Sequence, residues 1–187
     1  MKTLVSVLVL LGTLLLSGCG QEAPPPQPRE LEEPVLETVD RAEQKELVLV
    51  QEGQEVRLPA QLYIGEGYSF YLPTEGWVQD VAMIDHHAAV LWSREEAPAV
   101  HFCLLNLVDT TPEEAHDWVL AQAPNYAFSQ DSAGNISGLD DEDNVVDARL
   151  VPSSSSVYVL LTRYPLEAAE GFGAVLTAMA GTFELLP

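Results

Sequence analysis

From residue 47 onward, short runs of β-branched, aromatic and other apolar residues recur between turn residues, with links too short for parallel crossovers. The runs cover 47–51, 56–64, 68–72, 78–84, 88–93, 99–107, 144–151 and 157–163. Each has the composition of a strand. Parallel neighbours need a dozen or more connecting residues. The links Gly65-Glu66-Gly67, Pro73-Thr74-Glu75-Gly76, 94–98 and 152–156 supply only turns. The expectation is an antiparallel meander.

Two helical stretches interrupt it. Thr111 caps the first, Pro112 takes the first helical position, where its missing N–H costs nothing, and Glu114 completes a capping box. Ala115, Trp118, Val119 and Gln122 then share one side, and Pro124 ends the helix. The second follows Pro165 and sets Ala168, Phe172, Val175, Leu176 and Met179 at helical spacing; Gly181 stops it, and 182–186 reads as a last strand. The fold class expected is α+β, a single antiparallel β-sheet with two helices packed on one face. The 141 residues from 47 to 187 suit one domain with one core.

The stretch Tyr68-Ser69-Phe70-Tyr71-Leu72-Pro73-Thr74-Glu75-Gly76-Trp77 resembles the opening of Mog1/PsbP-like domains, where an aromatic strand runs into a Pro-x-x-Trp-type turn. Their closing pattern, an amphipathic helix followed by a Thr/Ser-Phe strand, is similar to residues 167–186. The resemblance implies the same α+β layout. It implies no single activity, because members serve as photosystem accessory subunits, nuclear-transport factors and bacterial lipoproteins. None of their functional residues maps onto this sequence.

The N-terminus has a different character. One positive charge at Lys2 precedes 13 almost uninterrupted apolar residues from Leu4 to Leu16. That is the form of a signal peptide and falls short of the roughly 20 residues of a spanning helix. Leu16-Ser17-Gly18-Cys19 resembles the lipobox of bacterial lipoproteins. The resemblance implies transfer of diacylglyceryl to the Cys19 thiol, cleavage before it, further acylation such as palmitate, and an extracytoplasmic location at the cell membrane. Two or more acyl chains would anchor firmly, where one holds weakly. Gram-positive surface and periplasmic leaflet both remain open. The domains expected are a signal peptide over 1–18, a tether over 19–46 and the α+β domain over 47–187.

The tether is rich in Pro and Glu, with Pro24-Pro25-Pro26 and Pro28 close together. Such a segment favours extended polyproline geometry, at about 3.1 Å per residue, and cannot bury a core. Within it, 36–47 has Glu37 and Arg41 at i,i+4 spacing, compatible with a short helix. Without residues 1–18 the chain has seven basic against 29 acidic residues, a formal net charge of −22. A surface of that sign repels phosphates, so nucleic acid is excluded as a partner and the membrane is reached through the lipid on Cys19.

Cys103 has no intrachain partner once Cys19 is acylated, and its strand is apolar on both faces, so a buried, inert thiol is expected. His101 and Cys103 share a strand face and form the best candidate metal pair, with His116 or Asp85 as a third ligand. A histidine satisfied by a local partner is the plainer account. Adjacent His86 and His87 would point to opposite faces if on a strand. Asp140, Asp141, Glu142 and Asp143, with Asp131 and Asn135, offer hard oxygen ligands, but not in the spacing of a calcium loop. A solvated acidic turn is the plainer account there.

Tyr63, Tyr68, Tyr71, Trp77 and Trp92 are candidates for a ligand groove, against a reading in which Phe70 and Trp92 are core and Tyr63 and Tyr71 lie at its edge. No nucleophile motif or phosphate loop occurs, and Gly171-Phe172-Gly173 suits close packing better than a dinucleotide turn. No enzyme activity and no cofactor are expected. The function expected is a membrane-anchored accessory or binding lipoprotein with an envelope protein or ligand as partner; the alternative is an envelope metal-binding protein using His101 and Cys103 or the Asp140 to Asp143 turn.

Overall fold

A computed structural model describes residues 40–122, 127–131 and 134–187. Six strands come first: β1 (Gln44–Gln51), β2 (Gln54–Gly65), β3 (Tyr68–Pro73), β4 (Trp77–Ile84), β5 (His87–Arg94) and β6 (His101–Val108). Helix α1 (Pro112–Gln122) follows, then β7 (Ala127–Gln130), β8 (Ile136–Leu139), β9 (Asn144–Pro152) and β10 (Ser156–Pro165). Helix α2 (Ala174–Gly181) and β11 (Glu184–Leu185) complete the order. All eight expected strands form. Strands β7 and β8 are additional, and their run of Ser and Gly gives little strand signal.

The strands make two sheets, not the single one expected. A four-stranded sheet has the order β1-β2-β3-β11, and a seven-stranded sheet the order β4-β5-β6-β10-β9-β8-β7. The break falls at Pro73-Thr74-Glu75-Gly76. Pro73 has no N–H with which to continue the ladder, and Gly76 adopts φ +73, open to glycine at no steric cost. The chain therefore leaves β2 and β3, and β4 pairs instead with β5, Trp77 opposite Arg94. The other short links behave as hairpins. Asp85 and His86, both at positive φ, form the two-residue turn between β4 and β5, so His86 is a turn residue and only His87 is in a strand.

The helices lie on opposite faces of the seven-stranded sheet, which corrects the expectation that they share one. Alternate residues of its central strands, Phe102, Leu104, Tyr158, Leu160 and Tyr164, join an aromatic-rich core with Phe70, Tyr71 and Trp92 and with Leu176 and Met179 of α2. The intervening residues, Cys103, Leu105, Leu107, Val157 and Val159, pack with Ala115 and Val119 of α1. Strands that are apolar on both faces need cover on both. Each fully buried large side chain contributes roughly 1.5–3 kcal/mol, and Trp92, Phe70 and Phe102 show no exposed surface.

The capping box at α1 forms as its sequence implies: the Glu114 N–H donates to Thr111 Oγ1 at 3.2 Å and the Thr111 N–H to Glu114 Oε2 at 2.9 Å. The expected end at Pro124 lies outside the described residues. Regular helix in α2 begins only at Ala174, after a 3₁₀ turn over Leu166–Ala168 and a π turn over Ala169–Gly173. Gly173 sits against the Tyr164 ring, where a Cβ would lie 3.0 Å from it.

Residues 44–47 are strand, so the short helix expected there does not form; 36–39 lie outside the described residues. Arg41, three residues before β1, is already part of the fold. It donates to Ser69 Oγ and to the Thr182 carbonyl, each at 2.8 Å, and lies 3.5 Å from Glu184. Among the described residues no helix is long and apolar enough to cross a membrane.

Candidate functional site

The crossing between the sheets builds a cleft of about 400 Å³. Trp77 opens β4 and Arg94 closes β5, so the register of this hairpin sets them side by side. The π turn before α2 brings Phe172, while Leu58 and Pro59 of β2 and Val175 of α2 extend the apolar wall. Gln51, at the end of β1, pins the π turn by donating to the Gly171 carbonyl at 3.1 Å.

Arg94 is the charged group of this arrangement. Its Cζ lies 5.7 Å from the centroids of both the Trp77 and Phe172 rings, within range of cation–π attraction to each. Nη1 donates to the Glu75 carbonyl at 2.8 Å. Gly76 makes room for the guanidinium, since a Cβ there would stand 2.4 Å from Nη1. No carboxylate among the described residues pairs with Arg94. Arg94 Nε and Trp77 Nε1 are buried and donate to no described atom. Such groups usually have partners, and an unpaired one costs about 1–3 kcal/mol. Trp92 Nε1 is also unpaired, but in the aromatic core away from the cleft wall.

The residues singled out in the sequence have other surroundings. His101 and Cys103 share a face of β6, as their spacing implies. His101 Nδ1 is engaged with Ser93 Oγ at 3.0 Å. Burial, and then the charge of Arg163, hold its pKa below the usual histidine range. Cys103 is buried, and burial pushes its thiol up to about 12, so the thiolate is suppressed. His116 is on α1, 3.4 Å from Asp117, and Asp85 accepts from Trp118 Nε1 at 3.2 Å.

Asp140 is buried and saturated. It accepts from the backbone N–H groups of Glu142 and Asn144, both at 2.9 Å, from the Asn144 amide at 3.0 Å and from Arg163 Nε at 2.8 Å. Burial alone would raise its pKa, but these donors outweigh it and hold the carboxyl below the ordinary range. Glu142 takes Arg163 Nη2 at 2.7 Å. Asp141 and Asp143 are exposed, and Asp143 has φ +60, a turn conformation. Asp131 is bonded to Asn135 through backbone and side chain. Among the described residues no three His, Cys, Asp or Glu side chains are grouped so as to hold a metal ion. Cys19 lies outside the described residues.

Of the five aromatic candidates only Trp77 lines the cleft. Tyr68, Tyr71 and Trp92 are buried, and Tyr63 packs edge-on to Trp92 at 5.0 Å. The sequence does not mark Arg94 and Phe172: one reads as a turn residue and the other as a helix core position.

No known protein family matches the sequence, and no curated protein matches it. Among solved structures the fold is similar to the solution structure of cyanobacterial PsbP (CyanoP) from Synechocystis sp. PCC 6803, at 9% identity over 68% of this chain and 92% of that one, with a TM-score of 0.49. The likeness is one of backbone layout at that level and carries no residue role across.

Proposed function

We propose that this protein is a lipid-anchored, extracytoplasmic binding module without catalytic activity, and that the Trp77–Arg94 cleft is where it binds. The observation that supports the reading is Arg94 itself, a cation close to two aromatic rings at an apolar cleft, with no carboxylate partner among the described residues. Orienting polar groups in a mostly apolar concavity are the usual make-up of a ligand site. The polar clusters more evident in the sequence are internally satisfied. Anchorage rests on Leu16-Ser17-Gly18-Cys19 and the apolar run before it. The lipid on Cys19 would hold the domain at the membrane, with the Pro-rich segment between them, available to an envelope protein or a small ligand.

Metabolic labelling with a palmitate analogue, followed by membrane fractionation, tests the anchor. Cys19→Ser should lose both label and membrane retention. Continued labelling of that variant would refute the lipoprotein reading.

A further inference from the structure

We infer that the cleft takes a small molecule, or the end of a chain, that joins one carboxylate to an apolar body, with the carboxylate on Arg94 and the body along Trp77, Phe172 and Val175. This rests on the reading of the cleft as a binding site and names its ligand class.

Charge supplies the first argument. In a chain with 29 acidic and eight basic residues, a half-buried arginine has carboxylates within easy reach of selection. Arg41, Arg57 and Arg163 each pair with one or more. Arg149 does not, but it is exposed, where water solvates it. Arg94 is half-buried against rings, and nearby Glu75 offers its backbone carbonyl, not its carboxylate. Among the described residues none supplies the counter-charge, which leaves that place to a ligand.

Donor chemistry supplies the second. A guanidinium donates and does not accept, so Arg94 selects an acceptor. An ionised carboxylate is acceptor-only and fits the guanidinium fork. The walls supply the third: Leu58, Pro59, Val175 and the two rings bury apolar surface, and a volume of about 400 Å³ admits a small ligand. A multiply charged anion such as phosphate fits less well. Among the described residues one cation lines the cleft, and a net charge of −21 repels an anion in proportion to its charge.

The test follows the three indole N–H signals of the full chain, from Trp77, Trp92 and Trp118, by ¹⁵N NMR. The probes are hexanoate, N-acetylphenylalanine and their methyl esters. A saturable shift of the Trp77 signal with either acid, at least about tenfold weaker with the matching ester and equally weakened by Arg94→Gln, is the expected result. The Trp92 signal reports whether that variant is folded. Binding of hexanoate alone identifies a free acid, and of N-acetylphenylalanine alone a peptide C-terminus; both support the inference. Equal binding of acid and ester overturns the carboxylate assignment while leaving a binding cleft. No response of Trp77 to any probe overturns both.

Discussion

Arg163 and Arg94 are both half-buried cations of the seven-stranded sheet, and they stand in opposite electrical states. Arg163 meets Asp140 at 2.8 Å and Glu142 at 2.7 Å, and Asp140 is in turn fixed by Asn144. Every strong group there has its partner. Arg94 has two aromatic rings and one backbone carbonyl. The first arrangement closes a turn between β8 and β9. The second leaves binding capacity unused. A buried polar group is informative about function in proportion to what it lacks.

The largest effect that would break this contrast is on the saturated side. Asp140→Ala leaves Arg163 and the Asn144 amide without their acceptor, and breaking such a pair should cost about 3 kcal/mol. Urea denaturation measures it; a loss below about 1 kcal/mol would remove the structural role given to this turn.

A smaller loss, about 2 kcal/mol, is expected for Gly76→Ala, which combines a positive φ with a methyl group driven into the Arg94 guanidinium. The steric part should disappear in an Arg94→Ala background, leaving the backbone strain alone. Equal losses in both backgrounds would show that Gly76 makes no room for Arg94.

The saturated region also carries a pH dependence. His101 is held below the histidine range by burial and by Arg163, so the unfolded chain takes up the proton first. The stability it contributes is complete above the unfolded pKa of about 6.5 and is lost as pH falls through that value toward the folded one. His101→Asn should flatten the fall in urea midpoint between about pH 7.5 and about pH 5.5. Asp140, whose pKa is also depressed, contributes in the same sense but outside this window. Its contribution is lost only as pH drops below the ordinary carboxylate range. An unchanged slope in the His101 variant would contradict the assignment.

The elements were legible because they depend on local signals. Strand composition placed β1 to β6, β9 and β10, and Thr111 with Glu114 placed the start of α1. The division into two sheets was not legible, because Pro73 to Gly76 has the composition of a hairpin turn whether or not the flanking strands pair. Nor was the placement of the helices, which follows from β6 and β10 being apolar on both faces; the sequence around Cys103 shows that pattern, which implies burial without saying what covers each face. The acidic turn and the His101/Cys103 pair were conspicuous because their residues are adjacent in sequence. The cleft was not, since Trp77, Arg94 and Phe172 come from three segments joined only by the hairpin register and the π turn. Arg94 reads as the first residue of the 94–98 turn, and only the fold sets it against Trp77 and Phe172.

The smallest expected change is the most direct test of the contrast between the two arginines. In urea denaturation without ligand, Arg94→Gln should stay within about 1 kcal/mol of the unmodified protein, because the lost ring contacts and the hydrogen bond to the Glu75 carbonyl are offset by removal of the buried Nε–H that has no acceptor among the described residues, and no ion pair among them is broken. Arg163→Gln should lose clearly more, about 2–3 kcal/mol, by leaving Asp140 and its charge uncompensated. That ordering, small at the cleft and large at the turn, is what the account predicts. An Arg94→Gln loss equal to or above that of Arg163→Gln would make Arg94 a structural cation and contradict it.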